Sequence, residues 1–281
     1  LGLRTVTEHL VVSTFLGIAA VAVAGLAGRR IAGERVGLLA AALVAVYPNT
    51  WRYDGALLSE GGVILTVLVI VWLSYRFWDR PSPGRLAAVG AVVGLGTLAR
   101  AELFLLLPLL VVPLALRVRA RAWRTRIGWA VLAAVVSGAV LVPWVAYNLS
   151  RFEEPVYISQ NLGGTIAGSY CPTVFGGPLL GYWDFNCPIA AFEASGLPEG
   201  SPESDAAIRE VGLTYLKENL DRLPVVVAAR LGRIVGVYQP TQQRDLDALT
   251  EGVSSWVATA GMITLPFMLV GSAAGGVVLW R

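Results

Sequence analysis

The chain has 281 residues, 56% of them hydrophobic and 15% charged, with a formal net charge of +3. Soluble domains carry about 25% charged residues, so a chain this apolar has too little polar surface for water and must turn several stretches toward lipid. The positive balance does not point to nucleic acid, because the arginines lie in short clusters between apolar runs and build no basic domain.

The apolar runs fall, in chain order, at residues 10–28, 36–47, 62–78, 86–99, 103–116, 127–147 and 254–280. A helix needs about 20 residues to cross a bilayer. The first, third, sixth and seventh runs are long enough. The other three are short and need flanking residues or neighbouring helices.

Arginine placement predicts the topology. Arg29, Arg30 and Arg35 follow the first run, Arg76, Arg80 and Arg85 the third, and Arg117, Arg119, Arg121, Arg124 and Arg126 the fifth. The alternate connections before residue 148 hold only Arg52 and Arg100. This bias puts the first set in the cytoplasm. Residues 47–61, the hairpin Arg100-Ala-Glu102 and the chain just beyond Tyr147 then face the exterior.

After Tyr147 the character changes. Residues 148–222 are rich in Gly and Pro and carry Glu193, Glu199, Glu203 and Asp205, which reads as a loop domain with a helix over 205–219. Residues 223–237 are apolar but contain Arg230 and Arg233. Charge inside a span is costly, so this segment reads as an interfacial helix, with a true span as the alternative. The expected organisation is a six-helix transmembrane bundle over 1–147, an extracytoplasmic loop domain over 148–222, an interfacial helix and loop over 223–253, and a C-terminal transmembrane helix over 254–281. The fold class is an all-α integral membrane protein, a polytopic transmembrane helix bundle of about seven spans.

Few residues can carry chemistry in such a chain. The exterior loop places Arg52, Tyr53, Asp54 and Glu60 beside Trp51. Aromatic residues belong at membrane interfaces, and charges in loops are ordinary. Glu60 is different, because it opens an apolar run; a carboxylate at the edge of hydrocarbon is a functional candidate and can serve as a general base. Asp54 could do the same from the loop. Arg100 and Glu102 could pair and cap their turn. Alternatively Arg100 holds an anionic headgroup, since guanidinium matches phosphate bidentately.

Cys171 and Cys187 lie in the loop domain, where a disulfide is favoured outside the cytoplasm and two unpaired thiols are the alternative. Asn148-Leu-Ser150 matches a glycosylation sequon, but it sits directly after a span. The sole histidine, His9, stands at the start of the first run, so no metal site is expected. A divalent-ion requirement is left open. No CxxC, HExxH, GxSxG or phosphate-loop pattern occurs.

Several fragments in order resemble a known family. They are Gly28-Arg-Arg30 with Tyr47-Pro48, Leu57-Leu-Ser-Glu60, Leu98-Ala-Arg-Ala-Glu102, Pro143-Trp144 with Asn148, and Tyr215-Leu-Lys-Glu-Asn219 leading to Ala229-Arg-Leu-Gly-Arg233. This order resembles the GT-C glycosyltransferases of the protein O-mannosyltransferase and lipid A aminoarabinose transferase type, glycosyltransferase family 39. The resemblance implies a multi-span enzyme that moves a sugar from a polyprenyl-phosphate carrier to a lipid, glycan or protein acceptor on the extracytoplasmic face. The high Ala, Val, Gly and Arg content suggests a GC-rich bacterial source and so a bacterial plasma membrane. The resemblance also implies that Glu60 matches an acidic residue of the second exterior loop and Arg100 the basic position near the carrier phosphate. Arg52, Tyr53, Glu102 and Asn148 become candidates for binding carrier or acceptor, and the 148–219 segment for covering the site. Gly61, Ala101 and Tyr147 depart from the family pattern, where Pro, Pro and a basic residue are common. The chain starts beyond the family's first exterior loop with its acidic pair, which implies an N-terminal truncation or a noncatalytic relative. A transporter or lipid flippase is the remaining rival. It would need charged or broken helices near the midplane.

Overall fold

The computed structural model describes residues 5–54 and 58–280, except the side chains of Arg52, Asp54 and Trp280. Among the described residues every regular element is helical. The chain divides into two compact units, Leu1–Trp144 and Val145–Arg281.

The first unit holds α1 (Val6–Ala32), α2 (Glu34–Val46), α3 (Pro48–Asp54), α4 (Glu60–Asp79), α5 (Pro83–Ala99), α6 (Ala101–Leu116) and most of α7 (Trp123–Arg151). Helix α1 opens on a capping box: Glu8 N–H donates to Thr5 Oγ1 at 3.2 Å, and Thr5 N–H to Glu8 Oε2 at 2.9 Å. It closes at Gly33, whose φ of +89° lets α2 start one residue later. Helix α6 is irregular. It begins as a 3-10 turn, widens to a π-helix over Leu107–Val111 and ends as an α-helix. Pro108 and Pro113 explain this, since each removes a backbone donor and crowds the preceding turn.

Packing here needs small residues, because lipid supplies no hydrophobic drive between helices. A Cβ on Gly90 of α5 would strike the Ala133 carbonyl of α7, and one on Gly94 would sit 2.7 Å from the Ser137 carbonyl oxygen. Around this contact Ile70, Phe77, Leu86, Val89, Val93 and Val111 form the core. Two threonine hydroxyls bond the backbone of their own helices: Thr66 donates to the Gly62 carbonyl at 2.6 Å and Thr97 to that of Val93 at 2.8 Å.

Side-chain contacts sort the helix ends. At one end Arg30 pairs with Asp79 at 2.6 Å, the Arg117 guanidinium lies 5.4 Å from the Trp78 ring centre, and Arg126 donates to the Leu116 carbonyl at 3.0 Å. The three arginine-rich connections therefore meet. At the opposite end Arg100 meets Glu60, and Ser13 donates to the Tyr53 carbonyl at 3.0 Å. The chain thus runs the length of the unit in α1, in α2 with α3, and in α4, α5, α6 and α7. Among the described residues, α1, α4, α7 and α14 (Ser255–Trp280) are long and apolar enough to cross a membrane alone. Helix α5, with 17 residues, is a shorter apolar helix, as is α6. The 13 residues of α2 reach about 20 Å, short of the ~30 Å hydrocarbon core.

The second unit contains α8 (Leu162–Ser169), α9 (Pro172–Phe175), α10 (Asn186–Ser195), α11 (Pro202–Glu218), α12 (Leu223–Ile234), α13 (Pro240–Glu251) and α14. The helix predicted over 205–219 starts three residues earlier, because Ser201 accepts from the Ser204 N–H at 3.1 Å and Pro202 fills the first helical position. Val174, Phe175 and Val226 are its core, and the Tyr170 and Tyr215 rings meet Phe175 edge-on.

Helix α12 resolves how Arg230 and Arg233 are accommodated. Its 12 residues span about 18 Å, too little to cross a bilayer alone. Val226, Ala229 and Arg233 form a buried face, while Val227, Leu231 and Ile234 are exposed. Arg230 donates to the Ser169 carbonyl and Arg233 Nε to that of Leu180 at 2.9 Å. Both arginines are therefore bound to polar partners of their own unit.

Candidate functional site

The polar cluster of the first unit is built by helix ends. Glu60 is the first residue of α4, and Arg100 is the residue that terminates α5. Arg100 adopts extended backbone there while its N–H still bonds the Gly96 carbonyl at 2.9 Å. That leaves the guanidinium free to turn along the bundle end. Arg100 Nη2 then meets Glu60 Oε1 at 2.6 Å, across 40 positions of sequence. The Arg100 side chain is 48% exposed and that of Glu60 24%.

Both members of this pair have capacity left. Among the described residues, Glu60 Oε2 is buried without a hydrogen-bond partner. Guanidinium has five donors, and the bond to Glu60 engages Nη2 alone. The pair can therefore accept one proton at Oε2 and bind one anion at the open edge of Arg100. An apolar cavity of about 130 Å³, lined by Ile18, Val21, Val44, Trp51 and Ile64, reaches Gly61 next to Glu60.

The other expected residues are placed variously. Glu102 is exposed in the first turn of α6, and Arg100 pairs with Glu60 instead. Tyr53 contributes its carbonyl to Ser13 and is half-buried. The Arg52 and Asp54 side chains, both expected at the site, lie outside the described residues. Trp51 is pinned by an Nε1 bond to the Ala45 carbonyl at 2.6 Å, so the interfacial aromatic also locks α3 against α2. In the second unit Asn148 is 3% exposed, and its Nδ2 donates to the Tyr157 carbonyl at 3.4 Å.

The second unit holds three polar constellations of its own. Cys171 and Cys187 are joined by a disulfide. Asp184 stands beside it, accepting from Thr173 Oγ1 at 2.7 Å and from Asn186 N and Nδ2 at 3.0 and 2.9 Å. Burial opposes the Asp184 charge, but these bonds outweigh it and hold its pKa below the ordinary carboxylate value. The two sulfurs and this carboxylate lie within 4.8 Å, a metal-like spacing. With the sulfurs bonded to each other the trio offers a carboxylate and no thiolate, so it does not fit a metal ion.

Asp205 takes the Gly163 N–H at 2.7 Å, where α8 and α11 touch so closely that a Cβ on Gly163 would strike the Asp205 backbone. Burial raises the Asp205 pKa, only partly offset by the Gly163 bond and by Arg209. Arg233 is sandwiched between the Tyr182 and Tyr238 rings at 5.5 and 5.4 Å, and it donates to Gln242 and Gln243 at 2.5 and 3.3 Å. Sequence reasoning missed Asp184, Arg233's partners and Ser13. Only Arg233 carried a signal, as a charge inside an apolar run.

Apolar helices long enough to cross a membrane, linked at arginine-rich turns, define a multi-pass membrane protein. A charged pair at the end opposite the arginine clusters is its candidate site. The chain belongs to the dolichyl-phosphate-mannose-protein mannosyltransferase family, whose sequence profile matches residues 5–147. Membership in this mannosyltransferase-type family makes it a membrane glycosyltransferase, in agreement with the resemblance drawn from its motifs. No curated protein and no solved structure matches the chain.

Proposed function

We propose that the protein transfers a sugar from a polyprenyl-phosphate carrier to an acceptor hydroxyl on the extracytoplasmic face, with inversion at the anomeric carbon. The Arg100–Glu60 pair carries this reading. Glu60 Oε2 takes the acceptor's proton, the acceptor oxygen bonds the anomeric carbon, and the carbon–oxygen bond to the carrier breaks with its electrons passing to the phosphate. Arg100 offers its remaining N–H donors to that phosphate, the kind of preorganised electrostatic help that dominates many catalysed reactions. The apolar cavity beside Gly61 supports a lipid-borne donor. Arg52, Tyr53 and Glu102 remain candidates for binding carrier or acceptor, and Asp54 a second candidate for the base. The acceptor is a lipid, a glycan or a protein.

The exposed stripe of Val227, Leu231 and Ile234 supports the assignment of α12 to the membrane interface, with both arginines held on the polar side.

The test is transfer from polyprenyl-phosphate sugars by the full-length protein. Glu60→Gln should lower turnover by about 10²–10⁴-fold, the usual worth of a general base. Arg100→Gln should lower it by about 10²–10³-fold. Unchanged turnover in both variants removes their roles. No transfer by the unmodified full-length protein favours the noncatalytic relative.

A further inference from the structure

The end of the bundle opposite Glu60 carries a pocket that the transfer reaction does not use. It lies between the end of α4, Pro81 and the end of α6, with a volume of about 530 Å³. Its floor is apolar, made by Phe77 and Leu114, both buried in the core. Its rim is basic and aromatic. The Arg117 guanidinium leans over Trp78, and Arg119 stands exposed two residues on.

Neighbouring cations are already committed. Arg30 is paired with Asp79, Arg85 donates to the carbonyls of Arg76 and Arg80, and Arg126 donates to those of Leu116 and Arg121. Arg117 and Arg119 have no acidic partner among the described residues. Residues 117–126 hold five arginines and no acid, so nothing in the segment neutralises them.

We propose that this pocket binds the headgroup of an anionic phospholipid. The two guanidinium groups take the phosphate, for which their planar donor forks are suited. Trp78 sits at headgroup depth, and the first acyl carbons cover Phe77 and Leu114. A bare phosphate ion would satisfy the arginines but leave the apolar floor and Trp78 without a partner. Basic pockets between membrane helices are suited to such lipids, because each arginine near the surface gains from an anionic headgroup.

The experiment compares the full-length protein in nanodiscs of zwitterionic phosphatidylcholine with and without phosphatidylglycerol, reading co-retained lipid by native mass spectrometry. Selective retention of phosphatidylglycerol is expected. Arg117→Gln and Arg119→Gln should each weaken it roughly fivefold, and Trp78→Ala should weaken it too. Arg121→Gln and Arg124→Gln each remove as much charge outside the pocket and should change retention little. Equal loss in that control would mean bulk attraction without a site and overturn the proposal. Full displacement of the lipid by inorganic phosphate at millimolar concentration would also overturn it, by showing a phosphate site only. Thermal unfolding in pure phosphatidylcholine separates a misfolded variant from one that has lost its ligand. A pocket variant whose fold is intact there and whose phosphatidylglycerol retention is unchanged overturns the proposal as well.

Discussion

The two units of this chain are held together by different physics. The first, up to Trp144, is assembled by close approach of helices at Gly90 and Gly94, with the Thr66 and Thr97 hydroxyls bonded to their own helix backbone. The second, from Val145 on, relies on a disulfide and on charged side chains that reach across to carbonyls, as Arg233 does to Leu180. In lipid, apolar area is no force for association, so shape and small residues decide. A Gly/Pro-rich segment with a small core needs covalent and polar ties.

The comparison breaks first at the cysteines. Cys171→Ser with Cys187→Ser should cost about 2–5 kcal/mol, and hydrogen exchange should rise over 162–218 while 60–116 keeps its protection. Loss of protection in both regions would show that one unit's ties also hold the other. Gly94→Leu is the converse. Overpacking against the Ser137 carbonyl should cost about 1–3 kcal/mol or more, read as lost protection in α5 and α7.

Arg233→Met tests the polar ties alone. It keeps the apolar stem and leaves the Leu180 carbonyl and two glutamine oxygens without their donor, for about 1–3 kcal/mol by thermal unfolding. A neutral result would mean that packing of α12 suffices.

The smallest effect is one of pH. The folded pKa of Asp184 is depressed, so its stabilisation is full above the unfolded value near ~3.9 and is lost as pH falls through the folded value. Asp205 has the opposite sign. Its folded pKa is raised, so its contribution is present below the unfolded value and fades as pH rises through the folded one. Asp184→Asn should flatten the loss of melting temperature below about pH 4, whereas Asp205→Asn should leave the acid loss in place.

Much of the bundle was legible in the chain itself. Apolar run lengths identified α1, α4, α7 and α14, because crossing hydrocarbon is a one-dimensional requirement on consecutive residues. The ordered motifs around Arg30, Glu60 and Arg100 pointed to the family that the profile over 5–147 identifies. The irregular course of α6 also follows from the positions of Pro108 and Pro113.

Pairing was not legible. Arg100 stands two residues from Glu102 and forty from Glu60, yet it bonds Glu60, because the turn of chain at the end of α5 aims the guanidinium across the bundle. Arg230 and Arg233 sit in an apolar run that sequence alone could assign to an interface or to a span. Their carbonyl partners at Ser169 and Leu180 are far away in sequence and exist only once the loop domain has folded. Composition and periodicity decided which stretches leave water. Only tertiary structure decided which polar atoms meet, because a hydrogen bond needs its partner within about 3 Å in space, and sequence separation says nothing about that.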